Sequence, residues 1–127
     1  MANNILLFVE SRYKVNRKKI KSTISTLLKD HGVLKNVEVS VAIVGDRKMR
    51  ELSKKYKGED KTRNVLSFSQ VEGETTPEVG DVLRLGDIVI SYPVVITEAS
   101  AQDKLVDDRV DELVSHGLMH LLGLHHE

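Results

Sequence analysis

The stretch VEVSVAIV, residues 37–44, carries the clearest structural signal in this chain. Val37, Val39, Val41 and Ile43 alternate with polar or smaller residues, so they fall on one face of an extended segment. Alternation over this length predicts a half-buried β-strand. The fold can therefore be read outward from this strand in both directions.

Helical periodicity flanks the strand on both sides. Asn16 is predicted to cap a helix that runs to about residue 30, with Gly32 just past its end. Asp46 is predicted to cap a second helix, in which Met49 and Leu52 share a side with Tyr56. The other predicted elements are strands at 5–9, 65–69 (VLSFS) and 86–91 (GDIVIS), a loop or widened hairpin connection at 72–83, and helices at about 93–102 and 107–122. Strands followed by helices, with two consecutive strands in the middle, predict a layered α/β domain (α+β-like) with a mixed sheet of about four strands.

Length and composition narrow the class of protein. A chain of 127 residues, 40% apolar and 30% charged, fits one globular domain spanning residues 1–127. The absence of cysteine excludes disulfides and thiolate metal sites. The opening MANNILLFVE lacks the features of a signal peptide, and no apolar run approaches the roughly 18 residues of a membrane span. We therefore expect a cytoplasmic protein with no membrane partner.

The charge is distributed unevenly along the chain. Residues 1–63 hold 16 Lys and Arg against 7 Asp and Glu, whereas residues 64–127 hold 3 against 12. Two oppositely charged faces could stabilise the fold or a dimer, and a basic surface could equally bind a polyanion. Charge alone leaves both interpretations open.

Four of the five histidines fall in HGLMHLLGLHHE, residues 116–127. His116 and His120 are four apart at the edge of the apolar arc of the last predicted helix, so their imidazoles stack one turn apart. Gly123 can end the helix and bring His126 back as a third ligand. Three histidines leave a fourth position open for water, which suits a catalytic zinc site, where bound metal supplies hydroxide at neutral pH. An expression tag would instead be a continuous run outside the core pattern.

The histidine spacing also matches the metalloprotease pattern HExxHxxGxxH, except at the residue that acts as general base. The protease glutamate would fall at position 117, which is Gly117, and no methionine turn follows His126 in the sequence. Peptide hydrolysis is therefore disfavoured, while metal binding is not. His125 points away from the metal if residues 125 and 126 are extended, which favours His126 as the ligand.

The histidine segment also resembles the signature of the YbeY family of metal-dependent endoribonucleases, H-G-x-L-H-L-x-G-[apolar or Tyr]-D-H. A second block, YKGEDKTRNVLSF at 56–68, is similar to the family's Y-R-G-x-D-x-P-T-[DN]-V-L-S-F, and GDIVIS at 86–91 matches the strand before the histidine helix. The blocks occur in the same order as in the family. The resemblance implies an endoribonuclease in ribosomal RNA maturation and ribosome quality control, with zinc held by the three histidines and with RNA and the ribosome, not DNA, as partners.

The block at 56–68 supplies the remaining predicted site residues. Lys57 and Arg63 are predicted to be catalytic, because cations in this loop could stabilise the charge that develops on phosphate. Lys61, Asn64 and Ser67 are predicted to bind the substrate. The basic first half of the chain agrees with a phosphate-rich ligand.

This chain departs from the family pattern at several positions. Lys57 replaces the family's Arg, which keeps the charge but loses bidentate phosphate recognition. Thr62 and Arg63 replace the Pro-Thr pair, and His125 replaces the Asp before the last histidine. If that Asp orients a ligand or water, its role is lost or changed here, and Glu112, one turn before His116, is a candidate to take over part of it.

Two other classes of function remain open at this stage. One is a metal-dependent hydrolase of another substrate, such as a peptide. The other is a non-catalytic ribosome or RNA binder that needs its metal for folding. The sequence shows no aromatic-rich patch for base stacking, and it does not reveal the oligomeric state.

Overall fold

The computed structural model describes residues 4–33, 36–70 and 82–123. The elements follow in the order β1 (Asn4–Val9), α1 (Arg17–Asp30), β2 (Val37–Val44), α2 (Asp46–Lys57), β3 (Val65–Ser69), β4 (Leu83–Ser91), α3 (Tyr92–Ala101) and α4 (Val106–Leu121). Every predicted helix is therefore present, with a shift of at most one residue at its first position.

The strands form one mixed sheet in the order β1-β2-β4-β3. β1 and β4 each pair in parallel with β2, which places the alternating strand inside the sheet. β3 pairs antiparallel with β4, the next strand along the chain. In the described residues β3 and β1 are the two edges of the sheet.

The main hydrophobic core lies on one face of the sheet, beneath α1, α3 and α4. β2 contributes the face predicted from its alternation, with Val37, Val39, Val41 and Ile43 all buried. The helices contribute apolar residues at helical spacing, which are Ile20, Ile24 and Leu28 from α1, Val95 from α3, and Val110, Leu113, Val114, Leu118 and Leu121 from α4. This face carries the histidine helix.

Helix α2 covers part of the opposite face. Its fully buried Met49 packs with Val44, Leu66 and Val89 of the three neighbouring strands. Because side chains alternate along β3, Leu66 and Phe68 point toward α2, while Val65 packs in the main core on the other side. The short strand β3 thus contributes side chains to the hydrophobic clusters on both faces of the sheet.

A bulge at Gly86 interrupts the alternation of β4. Glu38 is opposite Arg84 while Val39 is opposite Gly86, so Leu85 is the extra residue. Gly86 has φ of 150°, and a Cβ there would overlap the carbonyl oxygen of Phe68, so only glycine fits. The bulge lets Leu85 join Ile88 and Ile90 on the main core face.

The structure confirms the α/β class and the mixed sheet of four strands. Asn16 caps α1, since its side chain accepts a hydrogen bond from the backbone N–H of Lys19 at 3.0 Å. The predicted cap at Asp46 is wrong, because Gly45 is the N-cap and Asp46 lies in the first helical turn. A side chain at 45 would meet Arg12 and Tyr13 at 2.9 Å, which explains why a glycine precedes the helix.

Two further observations bear on the predictions. β4 begins at Leu83, three residues before the predicted strand, while residues 72–81 of the predicted loop at 72–83 lie outside the described residues. Among the helices of the described ranges, none combines the length and the apolar character needed to cross a bilayer.

Candidate active site

Helix α4 presents His116 and His120 on its solvent side. The apolar residues of the helix are buried against the sheet, whereas both histidines are exposed. Between them, Gly117 rests on Ile88 of β4, where an added Cβ would lie 2.9 Å from Ile88 Cγ2. The helix therefore holds the histidine pair at the surface by packing a glycine tightly beneath it.

Strand β3 reaches this histidine pair through Ser67. Ser67 Oγ lies 2.7 Å from His120 Nδ1, which is a hydrogen-bond distance. Because Val65 and Ser67 share one side of β3, the hydroxyl points toward α4 and away from α2. The VLSF block and the histidine helix, 53 residues apart, therefore meet in one place.

The histidines have the donor chemistry of a zinc site. Neutral imidazole nitrogens are good zinc ligands, and metal-bound histidines usually donate their second ring N–H to a nearby oxygen. Ser67 provides such an oxygen at Nδ1 of His120, so a metal ion would bind Nε2. His126, the third predicted ligand, lies outside the described residues, and within 4–33, 36–70 and 82–123 no three His, Asp or Glu side chains gather for a metal.

The loop between α2 and β3 is held by ionic contacts around Glu59. Gly58 ends α2 in the left-handed conformation, with φ of 69°, and turns the chain into the loop. Glu59 forms ion pairs with Arg63 and, at 3.7 Å, with Lys61. Arg63 also donates from Nε to the buried Ser53 Oγ at 3.2 Å, which fixes the loop to α2.

Asn64 connects the same loop to α3 and α4. Its amide Nδ2 donates to the carboxylate oxygens of Glu98 at 3.2 and 3.3 Å. Glu98 in turn accepts from Arg109 of α4, with Nε at 3.0 Å and Nη2 at 2.9 Å. The backbone N–H of Ser91 also donates to the Asn64 carbonyl at 3.0 Å. One half-buried carboxylate therefore ties the start of β3 to the histidine helix.

Glu112 belongs to this network. It pairs with Lys104 at 2.6 Å and with Arg109 at 3.0 Å. The hydrogen bond from Lys104, followed by that from Arg109, lowers the pKa of Glu112 below its ordinary value of 4.5. Burial opposes the charge of Arg109, but hydrogen bonds to Glu112 and Glu98 raise its pKa above the ordinary value. Glu112 thus pairs with two cations, and none of the hydrogen bonds and ion pairs seen in the described residues joins it to His116.

The predicted site residues fall into three groups. Ser67 and His120 are in direct contact, and His116 lies one turn earlier on the same helix face. Asn64, Lys61 and Arg63 are held in protein contacts in the adjoining loop, and Lys57 is the last residue of α2. Glu98 and Arg109 are not predictable from the sequence, because a bridge between residues 64, 98 and 109 follows from the strand order, which no local pattern reveals.

The fold and the histidine pair place the molecule among α/β proteins with a candidate metal site on a helix. Comparison with known proteins identifies the family within this class. The model of the family described as endoribonuclease YbeY matches residues 7–127, and the chain belongs to this family. The resemblance found in the three sequence blocks is therefore confirmed.

Individual relatives agree with this assignment. An endoribonuclease YbeY from Acinetobacter baumannii is 37% identical over 121 residues, covering 94% of this chain and 76% of the relative. The endoribonuclease YbeY of Aquifex aeolicus is 38% identical over 125 residues, covering 98% of this chain and 79% of the relative. A solution structure of a Thermotoga maritima protein has a TM-score of 0.62 at 24% identity, covering 97% of this chain and 75% of that one, and it supports the fold.

Proposed function

We propose that this protein is a zinc-dependent endoribonuclease that acts in the cytoplasm in ribosomal RNA maturation and ribosome quality control. Its partners are ribosomal RNA and the ribosome. The proposal rests chiefly on the contact between Ser67 and His120. This contact brings the block at 56–68 and the histidine segment together at one exposed place. The family of the relatives, named for endoribonuclease activity, supports the same reaction class.

His116, His120 and His126 would hold one zinc ion in each chain. When bound, zinc supplies Lewis acidity, which polarises a phosphoryl oxygen and makes water a better nucleophile. With zinc on Nε2, Nδ1 of His120 would carry the proton and donate it to Ser67 Oγ, 2.7 Å away, which would fix the orientation of the ring. The tight packing of Gly117 on Ile88 holds the helix that carries the first two ligands.

The basic loop supplies the charge that a phosphodiester requires. Lys61 and Arg63 are gathered around Glu59, so a phosphate that approaches the loop meets two cations already in position. Lys57 adds a third at the end of α2. We propose that Lys57 and Arg63 stabilise the developing phosphate charge, while Lys61, Asn64 and Ser67 contact the RNA or place the groups that do.

The direct test measures metal content and RNA cleavage in the same preparations. Untagged wild type, His120→Ala, His126→Ala and the control His31→Ala are analysed by elemental mass spectrometry and then incubated with a ribosomal RNA fragment. His31 is the matched control, because it is an exposed histidine just past the end of α1, far along the chain from the histidine helix, and its Nδ1 lies 2.9 Å from the Leu27 carbonyl of α1. We expect about one zinc per chain and cleavage in wild type and His31→Ala, and a loss of both in the other two variants.

Two outcomes would contradict the proposal in different ways. Zinc binding without any RNA cleavage would favour a non-catalytic RNA or ribosome binder that uses the metal for folding. If casein is digested while the RNA stays uncut, the protein is instead a hydrolase of another substrate. The packing of Gly117 argues against the peptidase, since the position of the protease glutamate faces the core.

A further inference from the structure

Tyr56 is an aromatic residue that the fold leaves largely in solvent. It lies in the last turn of α2 and is 54% exposed. Its ring packs against Phe68 of the edge strand β3, with the ring centroids 4.8 Å apart and the ring planes at 57°. The contact with Phe68 fixes the ring, while about half of its surface stays accessible.

The surroundings of this ring are strongly basic. The last turn of α2 contains Lys54, Lys55 and Lys57, and the Lys55 ammonium lies over the Tyr56 ring, 5.1 Å from its centroid. The flexible side chain of Lys55 can swing away from the ring so that its ammonium pairs with a phosphate. The face of the ring is then accessible to an incoming base. An exposed aromatic face among lysines is the combination that proteins use to bind single-stranded nucleic acid.

Strand β3 links this ring to the histidine pair. Ser67 points to one side of the strand and contacts His120, while the next residue, Phe68, points to the other side and contacts Tyr56. In the described residues β3 pairs only with β4, so it forms an edge of the sheet. A nucleic-acid strand that passes around this edge can reach Tyr56 on one side and the histidines on the other.

We propose that Tyr56 is a stacking platform for a base of single-stranded RNA, next to the cleavage site. The proposal rests on the proposed endoribonuclease function and adds to it a base contact separate from the phosphate contacts. Stacking accepts any base, because every base has a π-face, so this contact provides affinity and position without sequence preference.

Binding of a fluorescein-labelled 12-nucleotide oligouridine by full-length, metal-loaded protein tests the proposal. The variants are Tyr56→Leu, which keeps apolar cover on Phe68 but removes the π-face, and Tyr56→Phe, which keeps the π-face. Phe8→Ala is the matched control, since Phe8 is an exposed aromatic residue, 59% accessible, on the opposite edge strand. Each variant is first shown to have the wild-type melting temperature, and the RNA is checked for integrity after the measurement.

We expect Tyr56→Leu to weaken binding at least about fivefold, with Tyr56→Phe and Phe8→Ala close to wild type. A second probe with the same phosphates but abasic sugars separates stacking from charge. Tyr56→Leu should bind the abasic probe as well as wild type does, whereas Lys57→Ala should weaken both probes.

Equal binding of oligouridine by Tyr56→Leu and wild type would overturn the inference, as would an equal loss on the abasic probe. Binding of neither probe by the wild type would also overturn it and would point to a protein partner for this surface. Failure of the proposed function is recognised separately, because it appears as intact ribosomal RNA in the cleavage assay while oligouridine binding still depends on Tyr56.

Discussion

Gly117 lies between the two histidines on α4 and has no room for a side chain. A Cβ at this position would lie 2.9 Å from one carbon of Ile88 and 3.2 Å from another, and Ile88 is itself fully buried. The residue that distinguishes this motif from the metalloprotease pattern is therefore also the residue that lets the helix approach the sheet. The lack of space at position 117 thus accounts both for the glycine and for the absence of the protease glutamate.

Gly117→Ala should destabilise the protein even though alanine is the better helix former. Overpacking should cost about 1–3 kcal/mol of unfolding free energy and helix propensity should return about 1 kcal/mol, so we expect a net loss of up to about 2 kcal/mol. Denaturant unfolding measures the change, with Ser115→Ala on the same helix as the control. Gly117→Glu should fail to fold and show no casein digestion; a stable Gly117→Glu protein would contradict the packing argument.

Ser67 is expected to act on the metal site through the orientation of His120. Ser67→Ala should lower zinc affinity about 10- to 100-fold, the usual effect of removing a partner of a ligating histidine. Competition with a chromogenic chelator measures the affinity without reference to activity. Ser40→Ala is a matched control, because Ser40 is a strand serine that bonds to Asp87 instead of a histidine. If Ser67→Ala binds zinc as tightly as wild type does, Ser67 does not orient His120 for metal binding.

At the scale of elements, α4 is positioned by polar contacts along its first half and carries the histidines on its second. Toward α1, Lys19 forms an ion pair with Asp108, and Thr23 donates to Asp111 at 2.6 Å. Toward α3, Arg109 binds Glu98. These contacts, together with the apolar stripe, fix the rotation of the helix, so that the histidines emerge beside β3.

The turn between α3 and α4 should contribute a pH-dependent part of the stability. Lys104 and Arg109 lower the pKa of Glu112, so the native state binds its proton less readily than the unfolded state does. The contribution is therefore fully present above the ordinary value of 4.5 and is lost as the pH falls through the lower native value.

Thermal melts of wild type and Glu112→Gln at neutral pH and at about pH 3 test this prediction. The wild type should melt at the higher temperature at neutral pH, and the difference should shrink in acid. Glu51→Gln, which removes an exposed carboxylate from α2, controls for the general effect of charge. If the difference in melting temperature between wild type and Glu112→Gln is the same at both pH values, the ion pairs of Glu112 do not contribute to the stability.

At the scale of the whole molecule, the opposite charges of the two halves are used in two ways. Among the described residues, one basic side chain of the first half is paired with an acid of the second half, as Lys19 forms an ion pair with Asp108. Helix α2, by contrast, carries six Lys and Arg against two acidic residues within twelve positions. The ion pair supports the interpretation in which the charges stabilise the fold, and α2 is the element whose charge would suit a polyanion.

The affinity for RNA should fall steeply as the salt concentration rises, because the cations of α2 and its following loop release counterions from phosphates. Lys57→Ala should reduce the slope of log affinity against log salt by about one phosphate contact. Lys29→Ala, in the last turn of α1, should leave the slope unchanged. Fluorescence anisotropy over a salt series provides both slopes, and equal slopes for Lys57→Ala and wild type would exclude a phosphate contact at Lys57.

The sequence was sufficient for features that depend on local pattern. Alternation predicted β2, and helical spacing predicted the core stripe of α4. The joint site of 56–68 and 116–126 was instead predicted from the family resemblance, and the contact between Ser67 and His120 supports it. Strand order, the bulge at Gly86 and the bridge through Glu98 depend on contacts between distant residues, so no local pattern contains them. Asp46 was misassigned because the close approach of Arg12 and Tyr13 to Gly45, which fixes the cap, is also non-local.

The extra residue in β4 has a consequence for how such chains can change during evolution. Downstream of it, Ile88 is opposite Ser67 and lies under Gly117, while upstream Arg84 reaches Glu38 on the other face. Deleting Leu85 would force one of these two segments to turn over, exchanging an apolar side chain for a charged one in the core. We therefore expect β4 to tolerate replacement of its surface residues better than a change in its length, although the strand contributes none of the histidines.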